Sequence, residues 1–110
     1  MKTDKGNQIA RLNDQFRTTF LGGKVVMTAG IGALCDGLKA KIFSSVQSFS
    51  AFNPDNDPYG EHDFGALEIK GHRVFWKVDY YDLSYSAGSE NPSDPSVTGR
   101  LLTIMLADEY

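Results

Sequence analysis

The chain is poor in cysteine: Cys35 is the only one, so no internal disulfide can form. That points to a reducing compartment, and the cytoplasm is the expected location. Long apolar runs are missing too. None approaches the roughly 20 residues a membrane-spanning helix needs, and Met1 to Gln8 contain no apolar stretch of the kind a secretory leader carries. No membrane partner is expected. Charge of one sign is also scarce: 11 Lys/Arg against 14 Asp/Glu leave a net charge of −3. That is too small for a nucleic-acid mimic or a basic nucleic-acid binder, so nucleic acid is not an expected partner. There is no internal repeat and no low-complexity segment.

What is present is ordinary globular material. The 110 residues are 41% hydrophobic and 23% charged, which fits one domain over residues 1–110 with one modest core. The charge is uneven along the chain. Residues 1–50 carry seven Lys/Arg and three Asp/Glu, a net +4; residues 51–110 carry four and eleven, a net −7. Beside the plain reading of uneven surface charge stands an acidic face that meets a basic partner, or the basic half of a second copy.

Ile9, Leu12, Phe16 and Phe20 repeat at helical spacing and predict an amphipathic helix, capped by Asp4 and ended near Gly22-Gly23. Lys24 to Ile31 is short, β-branched and apolar on successive positions, which predicts a buried central strand. Gly30 and Gly32 follow it, but no Lys-Ser/Thr pair comes after Gly32, so a phosphate loop is not supported. A second helix is expected from about Asp36, its N-cap, to Phe49, burying Leu38, Ile42, Val46 and Phe49. Cys35 reads as a small apolar residue near its start.

Asn53 to Gly60 is loop, and a hairpin follows. Gly71-His72 suits a type II′ turn, which pairs Lys70 with Arg73 and Leu67 with Trp76. Leu67, Ile69, Val74, Trp76, Val78 and Tyr80 then form the core face, leaving Phe64, Phe75, Lys77, Asp79 and Tyr81 on the other. Ser84 to Ser86 is a candidate short strand. Asp94 as N-cap and Pro95 at the first helical position predict a C-terminal helix with Val97, Leu101, Ile104 and Met105 as its stripe. Asp108 and Glu109 then fall where the helix dipole disfavours them. The expected fold is α+β: a small antiparallel or mixed sheet of three to four strands covered by three helices, in the order α-β-α-β-β-α.

The candidate site is where the loop meets the hairpin. Asp55, Asp57, Gly60 and Asp63 match positions 1, 3, 6 and 9 of a calcium loop, but Tyr59 and Ala66 stand where positions 5 and 12 require oxygen ligands. An EF-hand is rejected. Asp55, Asp57 and Asp63 remain as a loose hard-metal set, beside the simpler reading that they cap turns; no cofactor is expected. On the expected register His62 stands opposite Tyr81 and diagonal to Asp79, with Lys77 on the same face. Two roles follow for His62: a contact that holds the loop to the sheet, or an acid–base group oriented by Asp79. Phe64, Phe75 and Tyr81 are aromatics on a charged face, which suits protein recognition unless a helix covers them.

The segments Leu12-Asn13-Asp14, Gly23 to Gly30, Asn53 to Gly65, Phe75 to Asp82 and Leu102 to Tyr110 resemble the bacterial family labelled domain of unknown function 3768. The resemblance implies a small cytoplasmic protein of proteobacteria from plasmid or phage-derived neighbourhoods, with an accessory, host-interaction or counter-defence role. It assigns no catalytic residue. The leading expectation is therefore a protein-binding or regulatory module, with Tyr59, Glu61, His62, Lys77, Asp79 and Tyr81 as contacts and a homodimer as a further possibility. The alternative is a hydrolase-like or metal-assisted enzyme centred on His62, Asp63 and Asp79.

Overall fold

A computed structural model describes residues 4–110, with side chains from residue 8 onward. Helix α1 (Asp4–Thr19) is followed by strand β1 (Lys24–Met27), a short helix α2 (Ala29–Gly32) and helix α3 (Asp36–Gln47). Strands β2 (Phe64–Ile69), β3 (His72–Tyr81) and β4 (Gly99–Leu106) complete the chain, with a 3-10 turn over Ala107–Glu109. The architecture is mixed α+β: a four-stranded sheet in the order β1-β4-β3-β2 with three helices. β1 runs parallel to β4, and the other pairs are antiparallel.

The helices lie on one face. Phe16 of α1, Ile31 of α2, and Ile42 and Val46 of α3 pack in one cluster with Val74, Trp76 and Val78 of β3 and Leu102 and Ile104 of β4. This inner face follows from the period-2 alternation of β3, whose even-numbered residues from Val74 to Val78 are buried. Gly65 belongs to this packing. A Cβ there would fall 2.3 Å from Trp76 Nε1, so the indole lies flat across the bare glycine of the neighbouring strand.

Several local expectations are corrected. The segment expected as a C-terminal helix is strand β4, inserted between β1 and β3. A central strand buries Leu102 and Ile104 on the inner face and Met105 on the outer, so its apolar positions run consecutively and imitate helical spacing over so short a run. Asp94 caps only a turn, accepting from the Ser96 N–H (2.9 Å) and Oγ (2.6 Å). β1, expected in the centre, is an edge strand with Val26 and Met27 exposed. The hairpin turn is Lys70-Gly71, both at positive φ (51° and 82°), a type I′ geometry that pairs Ile69 with His72. The register thus differs by two residues from that of a Gly71-His72 turn, and a two-residue shift leaves every side chain on its expected face. Ser84 to Ser86 forms a turn, with an isolated bridge between Tyr81 and Gly88. The N-cap of α3 is Cys35, without a side-chain bond, and Asp36 is the first helical residue. The expected Asp4 cap lies outside the described side chains.

The acidic C-terminus is explained by this fold. Glu109 does not end a helix. Its carboxylate accepts from Thr28 Oγ1 (2.6 Å), the Gly30 N–H (2.9 Å) and the Leu106 N–H (3.0 Å), tying the end of β4 to the β1–α2 junction. Those hydrogen bonds hold its carboxyl below the usual range.

Candidate functional site

The structure divides the sequence-predicted site residues between the two faces of the sheet. On the inner side α1 projects Asn13, Asp14 and Arg17 toward the loop that precedes β2. Arg17 is buried. Its Nη1 donates to the carbonyls of Val46 (2.9 Å) and Gln47 (3.2 Å), where α3 ends and a cation suits the helix dipole. Its Nη2 donates to Asp14 Oδ1 (3.0 Å), and the guanidinium lies 5.0 Å from the Trp76 ring centre and 5.5 Å from that of Phe52. Two buried donors, Arg17 Nε and Trp76 Nε1, have no hydrogen-bond partner among the described residues.

His62 joins this group. Its Nδ1 is 3.0 Å from the Asp14 carboxylate and its Nε2 is 3.6 Å from Asp57 Oδ2. The imidazole stacks on Phe52 at 3.9 Å and 2°, and the residue is held at φ 55°, where L-residues are uncommon. The backbone N–H of His62 donates to Asp57 Oδ1 (3.2 Å). A carboxylate therefore stands at each ring nitrogen, and the histidine fastens the loop to α1. Asp79, expected as its orienting acid, pairs instead with Lys77 (3.2 Å) on the outer side of β3. The difference arises because the ladder ends at Asp63, whose carbonyl accepts from the Val78 N–H (2.8 Å), and His62 at positive φ turns out of it.

A second buried network lies beside the first. Arg100 Nε donates to Asn13 Oδ1 (2.8 Å), and Asn13 Nδ2 donates to Tyr80 Oη (2.8 Å) and the Glu61 carbonyl (2.9 Å). Tyr80 Oη donates to Glu61 Oε1 (2.9 Å), and Arg100 Nη2 donates to the Pro92 carbonyl. Burial pushes the Tyr80 phenol well above its ordinary range and draws the Arg100 guanidinium below its own. Asp63 is also raised, first by burial and then by the negative charges of Glu61, Asp57 and Asp79. Asp55 sits on the exposed turn capped by Asn53. Asp57 is turned toward His62, so Asp55, Asp57 and Asp63 do not converge. Among the described residues no three of His, Cys, Asp and Glu gather so as to hold a metal ion.

The outer face is different in kind. No described helix contributes to it. Phe64 and Phe75 meet at 5.3 Å, and Tyr110 stands edge-on to both, at 6.0 and 5.7 Å. Tyr81 lies 5.9 Å from Tyr85, whose ring folds over Gly99 and receives Lys24 Nζ at 4.1 Å. Between the two aromatic groups runs the Lys77–Asp79 pair beside Leu101 and Thr103 of β4. Tyr59 stands apart at the loop tip, 81% exposed.

A family model described as a protein of unknown function (DUF3768) matches residues 27–109. The chain belongs to the DUF3768 family. No curated protein and no solved structure matches the chain at a significant level. The span matched by the DUF3768 model holds the whole outer face except Lys24 and Val26 of β1 and Tyr110, and it holds His62, Asp57, Glu61, Tyr80 and Arg100. It leaves out α1, which supplies Asn13, Asp14 and Arg17. Those three residues and Arg100 were not among the expected site residues. The available signal was their placement: Asn13 and Arg17 each stand one position after an apolar residue of the α1 stripe, and Arg100 alternates with Leu102 and Ile104.

Proposed function

We propose that this DUF3768 protein is a small cytoplasmic module that binds a protein partner through the outer face of its sheet. The observation that carries the reading is one-sidedness. All three helices pack on the inner face, while the outer face presents Phe64, Phe75, Tyr81, Tyr85 and Tyr110 around a Lys77–Asp79 pair. Large rings with little rotamer freedom, ringed by charge, are what protein interfaces are enriched in. The lone exposed Cys35 fits a reducing compartment. An accessory or counter-defence role in a bacterial mobile element is the setting we favour, and it rests on the family resemblance alone.

A hydrolase-like or metal-assisted enzyme centred on His62, Asp63 and Asp79 has less support. His62 is engaged by Asp14 and Asp57, and Asp79 by Lys77, so the three do not form one constellation.

The test exchanges the central pair. Lys77→Asp with Asp79→Lys keeps an ion pair but reverses the field presented outward, and Tyr81→Ala removes one ring. Quantitative mass spectrometry of proteins captured by wild type and by this triple variant should show a specific partner lost by the variant. His62→Ala should retain that partner, provided circular dichroism shows it folded. Equal capture by wild type and the triple variant would sink the outer-face assignment.

A further inference from the structure

We propose that two copies of this chain pair antiparallel through β1, about a two-fold axis at Val26, to form one continuous eight-stranded sheet. The inference stands apart from the proposed docking on the outer face and uses a different surface.

β1 is an edge strand with β4 on one side only. Successive residues of a strand send their N–H and C=O groups to opposite edges. The Thr28 N–H donates to the Ile104 carbonyl of β4 (3.0 Å), so Val26 and Lys24 also address β4. The N–H and C=O groups of Val25 and Met27 therefore point to the free edge. An antiparallel copy can use all of them in one register: Val25 with the partner's Met27, Met27 with the partner's Val25, and Val26 facing its own counterpart. The two strands then exchange four hydrogen bonds and leave no free-edge group of Val25 or Met27 unpaired.

Side chains and charges favour the same register. Val25 and Met27 lie on the inner face, over Leu102 and Ile104. A groove of about 180 Å³ opens there, lined by Phe20, Val25, Val26, Met27, Phe43 and Ile104. The pairing sets the partner's Met27 beside Val25, at the mouth of this groove, and an unbranched thioether adapts well to such a space. Val26 and Met27, adjacent on this edge, are two of the six exposed large hydrophobics among the described residues. Lys24 comes opposite the partner's Thr28, which carries the Glu109 carboxylate. A strand that starts with a cation and ends beside an anion is complementary to an antiparallel copy of itself, twice over. A parallel copy would set like charges together.

A four-residue edge spans only about 13 Å, so the contact is small against a standard interface and the dimer should depend on concentration. Sedimentation equilibrium of the full chain from about 1 μM to about 500 μM should show a monomer–dimer equilibrium. Met27→Pro removes an edge N–H that β4 does not use, and should weaken association at least roughly tenfold. Lys24→Glu should weaken it several-fold, less at high salt. In a Cys35→Ser background, Val26→Cys places two thiols at a non-hydrogen-bonded pair, where Cβ atoms come closest. On mild oxidation it should form a disulfide-linked dimer at least roughly tenfold faster than Ala51→Cys, an exposed loop control. A chain that stays monomeric throughout, a dimer untouched by Met27→Pro, or Val26→Cys linking no faster than the control would each overturn the proposal.

Discussion

The two faces of the sheet use polar residues in opposite ways. On the inner face Asn13, Arg17 and Arg100 are buried, and each joins segments far apart in sequence: α1 to α3, α1 to β4, and α1 to the loop before β2. On the outer face Lys77, Asp79 and Arg73 contact residues of their own strand and hold nothing remote in place. A polar residue is thus part of the core when its partners are distant and satisfied, and part of a presenting surface when they are local. The histidine that looked most chemical in the sequence falls in the first group.

The largest test of this contrast is Arg17→Ala. It removes a buried side chain and leaves the last carbonyls of α3 without their donor, so unfolding in urea should show a loss of about 2–4 kcal/mol. Gly65→Ala comes next: the new methyl must displace the Trp76 indole, and about 1–3 kcal/mol should be lost. Asp63 sharpens the comparison through pH. Its carboxyl is raised in the folded protein, so the folded state holds its proton more tightly and its ionisation opposes folding. Asp63→Asn should therefore gain stability relative to wild type as pH climbs from the ordinary carboxylate range through the raised folded value, and stay level above it. Urea midpoints at several pH values would show the opposite slope if the folded protein lowered this carboxyl instead of raising it. At the small end, Lys77→Ala should change stability by no more than about 0.5 kcal/mol. A loss as large as that of Arg17→Ala would erase the distinction between the faces.

Much of the frame was legible in the sequence, because period carries it. The helical spacing of Ile9, Leu12, Phe16 and Phe20 and the alternation of Val74, Trp76 and Val78 each reflect one buried stripe, and both elements form as expected. β4 was misread because a central strand carries apolar residues on both faces, and Leu101, Leu102, Ile104, Met105 and Leu106 show no unambiguous period. β1 was misplaced for the complementary reason: three consecutive apolar residues look central, yet here they lie on an edge. The hairpin register depended on which residue adopts positive φ. Lys70 does so, which its side chain does not announce. The outer aromatic face was legible once the alternation was right. The Asp14–His62–Asp57 contact was not, since it joins residues 48 positions apart whose meeting is fixed by how α1 lies on the loop.

The parallel pairing of β1 with β4 has a consequence for how the chain is made. Lys24 and Leu101 are about 77 positions apart, and among the described residues β1 pairs with no other strand. During synthesis Val25, Val26 and Met27 emerge before β4 and wait unpaired until it has left the ribosome, seconds later at elongation rates of about 5–20 residues per second. The β2–β3 hairpin is local and needs only a short loop to close, whereas β1 can pair only once β4 is available, against the entropy of the longest loop between paired strands. Over that interval on a polysome, neighbouring nascent chains each display the same unpaired apolar triplet.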